Sequence, residues 1–332
     1  MSDNRRGCVY FNFGTGYALH LLVSIHTLRK HYDGPVTVFL KPDAHSDRLK
    51  RDVEALGVDV VYLDRLSRSF DRHRIFEASP YPTTLSLDSD IVFRGPIDAL
   101  WEPLEREGVL VTRFHAPAFG IDGTPQTPRE HNRKGFLDDV RPLLAPQIYE
   151  RAVDRLVREG IDINIGVLGI ARPRGDSFLN AWARAMEAGR DLRPPLMDEM
   201  LVNALVGEHS HHLADEKWNC PADECFRRTS LADAVAIHYF GDACGLLGRN
   251  SRRMGRNVDT WAGRIWYRTY FEMAESFDLS YWRRLDRRFD RRIDPPFANG
   301  ASMTLRYWAK DIEIGIRNAR DLILGRRKPP II

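Results

Sequence analysis

Two carboxylates one residue apart, Asp88 and Asp90, close the apolar run Leu85-Ser86-Leu87 and open another, Ile91-Val92-Phe93. Residues two apart in an extended chain point to one side, so with Ser89 between them the pair can aim at a single point. Two hard oxygen ligands at the end of a buried strand suit a divalent cation such as Mg²⁺ or Mn²⁺, and that cation in turn suits a diphosphate. Taken alone, Asp-Ser-Asp also reads as a polar turn after a strand.

Further polar residues stand where an apolar pattern would exclude them. Asn164 interrupts the run over 162–170 and needs a partner, while Gly166 permits close approach of a ligand or backbone. His238 arrives near the end of the apolar run 234–241. Asp198 and Glu199 open a helix, where dipole compensation is the plainer reading. Arg68, Arg72, His73 and Arg74 lie just upstream of the carboxylates. They can neutralise a diphosphate or form a solvated helix face. Tyr17, at the mouth of the first strand, can stack on a nucleobase or pack on the core.

The elements that must position these groups follow from periodicity. A buried strand over 8–13 leads through Gly14-Thr15-Gly16 to a helix over 17–32, with Leu21, Leu22, Ile25 and Leu28 on helical spacing. A strand over 36–40, a helix over 46–56 and a strand over 58–63 follow. This β-α-β-α-β order predicts an α/β fold, Rossmann-like, with a mostly parallel central sheet flanked by helices. Ligands then bind beyond the carboxyl ends of the strands. A dinucleotide fingerprint is incomplete, because Leu19 stands where the third glycine belongs and Leu40-Lys41 where an acidic residue belongs. Residues 117–134 show no period and read as a lid or substrate loop. Helices are expected over 143–159, over 178–189 and from Met197.

The 332 residues suffice for one large α/β domain or two smaller ones. Lys and Arg number 49 against 46 Asp and Glu, a balance that gives no footprint for nucleic acid. Four cysteines make no disulfide framework. With no apolar core of a signal peptide at the start and no run long enough to span a membrane, a cytoplasmic location is expected. His209, His211, His212, Cys220 and Cys225 fit no standard four-ligand zinc spacing.

The order of these features resembles the GT-A fold nucleotide-sugar glycosyltransferases, in particular the retaining family of glycogenin and the lipopolysaccharide galactosyl- and glucosyltransferases. The resemblance runs from about residue 8 to 245. It rests on Tyr17 with its helix, Ser79-Pro80-Tyr81 through Asp88-Ser89-Asp90, Ile163-Asn164-Ile165-Gly166-Val167-Leu168, Asp198-Glu199 with the later Asn203, Lys217-Trp218-Asn219, and Ile237-His238-Tyr239-Phe240-Gly241. It implies a DXD motif in which Asp88 and Asp90, with His238, hold Mn²⁺ or Mg²⁺. It also implies that Tyr17 stacks on the base beside Asn12 or Phe13, and that Arg72, Ser89 and Gly241 contact the donor. Asn164 and Gly166 would face the sugar, with Asp198 and Glu199 near the anomeric carbon. The implied activity is transfer of a hexose from a nucleotide-diphosphate sugar, UDP-sugar favoured, to a glycan or lipid-linked acceptor. Glu199 departs from the family's common glutamine. Asp242-Ala243-Cys244 replaces the frequent Lys-Pro-Trp, which leaves the sugar and retention of configuration open.

A nucleotidyltransferase acting on sugar phosphates is the alternative enzyme, but it wants a basic pair in the first turn that Gly14-Thr15-Gly16-Tyr17 lacks. A non-catalytic glycan-binding protein on the same fold is the third reading. The catalytic domain is expected over 1–248 and a helical Arg- and aromatic-rich extension over 249–332. That extension either packs on the domain or makes peripheral contact with the inner face of a membrane.

Overall fold

A computed structural model describes residues 6–12, 17–63, 72–114, 133–192, 194–222, 229–239 and 261–286. Phe13, Gly241, the Gly14-Thr15-Gly16 turn, most of the loop over 117–134 and the helix pattern around 305–323 lie outside them.

The main sheet is built from β1 (Arg6–Asn12), β2 (Val36–Leu40), β3 (Asp59–Tyr62), β4 (Thr83–Leu87), β6 (Val109–Phe114), β7 (Asp162–Ala171) and β8 (His212–Ala214). Its order is β3-β2-β1-β4-β7-β6-β8. All pairings are parallel except those of β7, which runs against both β4 and β6. The fold is thus α/β with a mostly parallel sheet, as the β-α-β order required. Period two sorts the strands between layers. Cys8 and Tyr10 of β1 and Val36, Val38 and Leu40 of β2 join one apolar cluster. Val9 and Phe39 join another across the sheet, beside α3 (Arg72–Ala78). A third cluster gathers β6 and β7 against α5 (Arg133–Val140), α6 (Pro146–Val157), α7 (Asp176–Ala188) and α8 (Met197–Leu205). Helix α5 falls where no element was expected. Helix α6 starts at Pro146 rather than at 143, because proline is favoured in the first turn.

A second sheet was not anticipated. It has three short strands, β5 (Ile91–Phe93), β10 (Ala236–His238) and β9 (Cys220–Pro221), in the order β5-β10-β9. Asp88, Ser89 and Asp90 therefore bridge two sheets through a turn. Their convergence does not come from strand alternation.

Helix α1 (Ala18–Arg29) has ten of its twelve residues buried, too many for one face. The cause is α9 (Trp261–Ala274) with α10 (Ser280–Leu285), whose Trp266, Tyr267, Tyr270, Met273 and Trp282 share the cluster of α1 and β1. Polar ties fix the cover: Trp282 Nε1 donates to Asp52 at 2.5 Å in α2 (Ser46–Glu54), Tyr239 Oη donates to the Ala262 carbonyl at 2.7 Å, and Lys30 pairs with Glu272. Residues 261–286 thus share the apolar cluster of α1 and β1. Trp261 alone of these aromatics stays largely exposed, at 60%. Among the described residues no helix is long and apolar enough to cross a membrane.

Candidate active site

The site lies at the carboxyl ends of β1 and β4, where parallel sheets bind ligands. Asp88 follows β4 directly, and its N–H donates to the Gly166 carbonyl at 2.8 Å, continuing the β4–β7 ladder by one rung. Ser89 is half-buried in the turn. The Asp90 carbonyl accepts from Tyr239 N–H at 2.8 Å, tying the far end of the turn to β10. His238 is the last residue of β10, and its Nε2 lies 3.1 Å from Asp90 Oδ1 and 3.5 Å from Asp88 Oδ2. One ligand atom from each of Asp88, Asp90 and His238 falls within 4.8 Å of the others, the single such group among the described residues.

Gly166 makes this approach possible. The register of β7 against β6 shifts between Val111 and Thr112, from Leu168 to Asn164, so residues 165–167 bulge. A methyl group added at Gly166 would lie 2.5 Å from His238 Cε1 and 2.6 Å from Nδ1, so only glycine lets the imidazole sit there. The donor set of two carboxylates from the β4–β5 turn and one imidazole from the end of β10 fits Mn²⁺ or Mg²⁺.

Arg72 opens α3 and is buried. Its Nη2 donates to Asp88 Oδ1 at 2.7 Å, its Nη1 donates to the Ile165 carbonyl at 2.6 Å, and its Nε lies 3.7 Å from Asp198 Oδ2. The guanidinium also stands 4.6 Å over the Phe11 ring. Burial raises Asp88, against the pull of Arg72 and His238. Burial pushes Asp90 the same way, but the charge and hydrogen bond of His238 outweigh it and hold Asp90 at about 2. Burial alone would lower His238, yet Asp90 and Asp88 together raise it. Asp198, on α8, is pushed up to about 7 by burial, in spite of Arg72.

The remaining candidates divide. Asn12 is buried at the end of β1. Tyr17 is half-buried, its ring 6.2 Å from that of His20, which packs 5.4 Å from Trp266 and whose charge acts on Asp90. Asn164 Oδ1 accepts from Gly166 N–H at 2.8 Å, and its Nδ2 donates to Glu199 Oε2 at 2.9 Å. Glu199 also accepts from Arg133. Four further residues, given no role by the sequence, join these contacts: Arg133, Asp162, Thr112 and Asn219, the last present there only within Lys217-Trp218-Asn219. Arg133 holds Asp162 through Nε at 2.6 Å and Nη2 at 2.8 Å. Asn219 Nδ2 donates to Thr112 Oγ1 at 2.8 Å and to Asn164 Oδ1 at 2.9 Å. One signal was available. Asp162 is an acid opening a fully buried ten-residue strand, and such a charge demands a cation.

The chain has the GT-A fold, with a mostly parallel sheet with one reversed strand and a second small sheet joined to it by the Asp-Ser-Asp turn. No protein-family model matches the chain, and no curated protein matches it. Solved structures share its architecture. The glycosyltransferase GlyE of Streptococcus pneumoniae superposes with a TM-score of 0.50 at 13% identity, covering 83% of this chain, which spans 62% of GlyE. The galactosyltransferase LgtC, solved with donor and acceptor sugar analogs, gives 0.49 at 15% identity over 82% of this chain and 96% of its own. Mouse xyloside xylosyltransferase 1 in its apo form gives 0.44 at 13% identity, over 70% and 97%. At this identity the likeness to GlyE is one of fold.

Proposed function

We propose that the protein is a metal-dependent glycosyltransferase that moves a hexose from a nucleotide-diphosphate sugar to a saccharide or lipid-linked acceptor, with retention. The observation that carries this reading is the convergence of Asp88, Asp90 and His238 at the carboxyl end of the GT-A sheet. These three residues would hold Mn²⁺ or Mg²⁺. The ion, when bound, offsets the charge that a departing nucleoside diphosphate develops. Arg72 opposes the rise that burial imposes on Asp88, orients it, and adds a fixed cation to the same pocket. Asp198, with a value of about 7, holds or releases a proton near neutrality and is the carboxylate we assign to the sugar. Asn12, Tyr17, Ser89, Asn164 and Gly166, with Phe13 and Gly241 outside the described residues, complete the donor-binding set. UDP is the favoured nucleotide by resemblance. Exposed Trp261 supports peripheral contact with a membrane through the region from 249.

The test is a donor screen. The protein is incubated with UDP- and GDP-sugars and Mn²⁺, and free nucleotide is measured. Slow release from one donor that stops on chelation is expected. Release from none, with no metal-dependent nucleotide binding, would overturn the reading.

A further inference from the structure

Behind Asp88 and His238 a second set of polar groups runs through the protein interior. Asp162, Arg133, Glu199 and Asn164 are each at most 8% exposed. Arg133 is gripped by both Asp162 oxygens and donates to Glu199 Oε1. Glu199 Oε2 accepts from Asn164 Nδ2 at 2.9 Å. Asn164 Oδ1 accepts from the Gly166 N–H at 2.8 Å, and the Gly166 carbonyl accepts from the Asp88 N–H at 2.8 Å.

We propose that Arg133 and Glu199 are positioning residues of the transfer site. Glu199, oriented by Arg133, is a double acceptor that fixes Asn164, and through Asn164 the bulge at Gly166 on which Asp88 and His238 rest. The inference rests on the metal-dependent reading above and gives Glu199 a role distinct from that of Asp198.

The polarity of each partner requires this arrangement. Both groups that face Glu199 are donors, so both of its oxygens must accept. Asn164 cannot turn over to relieve a mismatch. Its oxygen is held by a backbone N–H, which can only donate, and by Asn219 Nδ2. An amide at 199 offers one acceptor and one donor, and sets an N–H against either the guanidinium or the Asn164 amide. A residue of the same shape is thus wrong at 199 for as long as Arg133 is present. Asp162 balances Arg133 from the other side, and Ile163 N–H donates to Asp162 Oδ1 at 2.9 Å.

Glu199→Gln in the full chain tests this, read by amide hydrogen exchange over 162–168, by Mn²⁺ affinity from the spin-resonance signal of free ion, and by donor turnover. Faster exchange at Gly166 and roughly a 10- to 100-fold loss of Mn²⁺ affinity are expected. The triple variant R133M/D162N/E199Q removes the opposing donor and lets the amide oxygen accept from Asn164. It should regain Mn²⁺ affinity to within about threefold of the parent. A space-filling role for Arg133 predicts the reverse, further loss in the triple variant. Unchanged exchange and affinity in E199Q, or a triple variant no better than E199Q in both, would overturn the inference. A parent protein that turns over donor with E199Q fully active overturns this inference alone. A parent that binds no Mn²⁺ and turns over no donor overturns the functional reading instead.

Discussion

Two buried acid clusters lie on either side of the β7 bulge, and the protein treats them in opposite ways. In the inner cluster every oxygen of Asp162 and Glu199 accepts a hydrogen bond, from Arg133, Asn164 or the Ile163 N–H. Its carboxylates are 1% and 8% exposed. In the outer cluster Arg72 meets one oxygen of Asp88, but Asp88 Oδ2 and Asp90 Oδ1 both lean on the one Nε2 of His238, which carries at most a single proton. These carboxylates are 19% and 11% exposed, so solvent and solutes reach them. Donor satisfaction marks a frame, and a shared donor in an accessible place marks a seat for a cation.

Removing the outer acids should affect chemistry and spare the fold. Asp88→Ala or Asp90→Ala should lower metal-dependent donor turnover by roughly a thousandfold, with an unchanged circular dichroism spectrum. Full activity in either variant would show that the outer cluster is not where the cation sits. Breaking the inner cluster should do the reverse. Arg133→Met leaves two acids without their cation and should cost about 3–5 kcal/mol in urea unfolding, whereas Asp90→Ala should cost little. Gly166→Ala probes the seam between the clusters. Its methyl must displace His238, and Mn²⁺ affinity should fall roughly tenfold or more with about 1–3 kcal/mol of stability.

Metal binding at the outer cluster should also respond to pH. His238 is raised above its ordinary value by Asp90 and Asp88. A metal must displace its proton, so Mn²⁺ affinity should weaken as pH falls through that raised value and level off above it. A titration of Mn²⁺ binding between neutrality and mild acid checks the sign. The smallest effect belongs to an ion pair of neither kind. Glu272→Ala, on the surface beside Lys30, should shift stability by less than about 1 kcal/mol in the same urea experiment.

How much of this the sequence disclosed depended on whether a local pattern carried it. The order of strands and helices was legible because burial on both faces leaves short runs free of charged residues, as in β2 and β4. Asp88, Asp90 and His238 were legible because each interrupts or ends such a run. The second sheet was not, although the strand that delivers His238 was, since β5 and β9 with three and two residues leave no period to read. Arg133 was hidden at the edge of a loop rich in glycine, proline and charge. Its meaning is set by Asp162 and Glu199, 29 and 66 residues away. The aromatics of 261–286 were visible as a pattern, but their destination was not. A stripe of Trp and Tyr reads alike whether it meets a lipid surface or the back of α1.

That destination governs the order in which the chain can mature. Helix α1 is made among the first thirty residues, yet the surface that roofs it is supplied by Trp266, Tyr270 and Trp282. On a ribosome adding residues from the N-terminus, the apolar back of α1 must wait until α9 and α10 have been made before it is covered. Until then the nascent protein presents a greasy helix to its surroundings, an invitation to chaperones. Its slow step in folding should be the closing of that roof, a contact between distant stretches of the sequence.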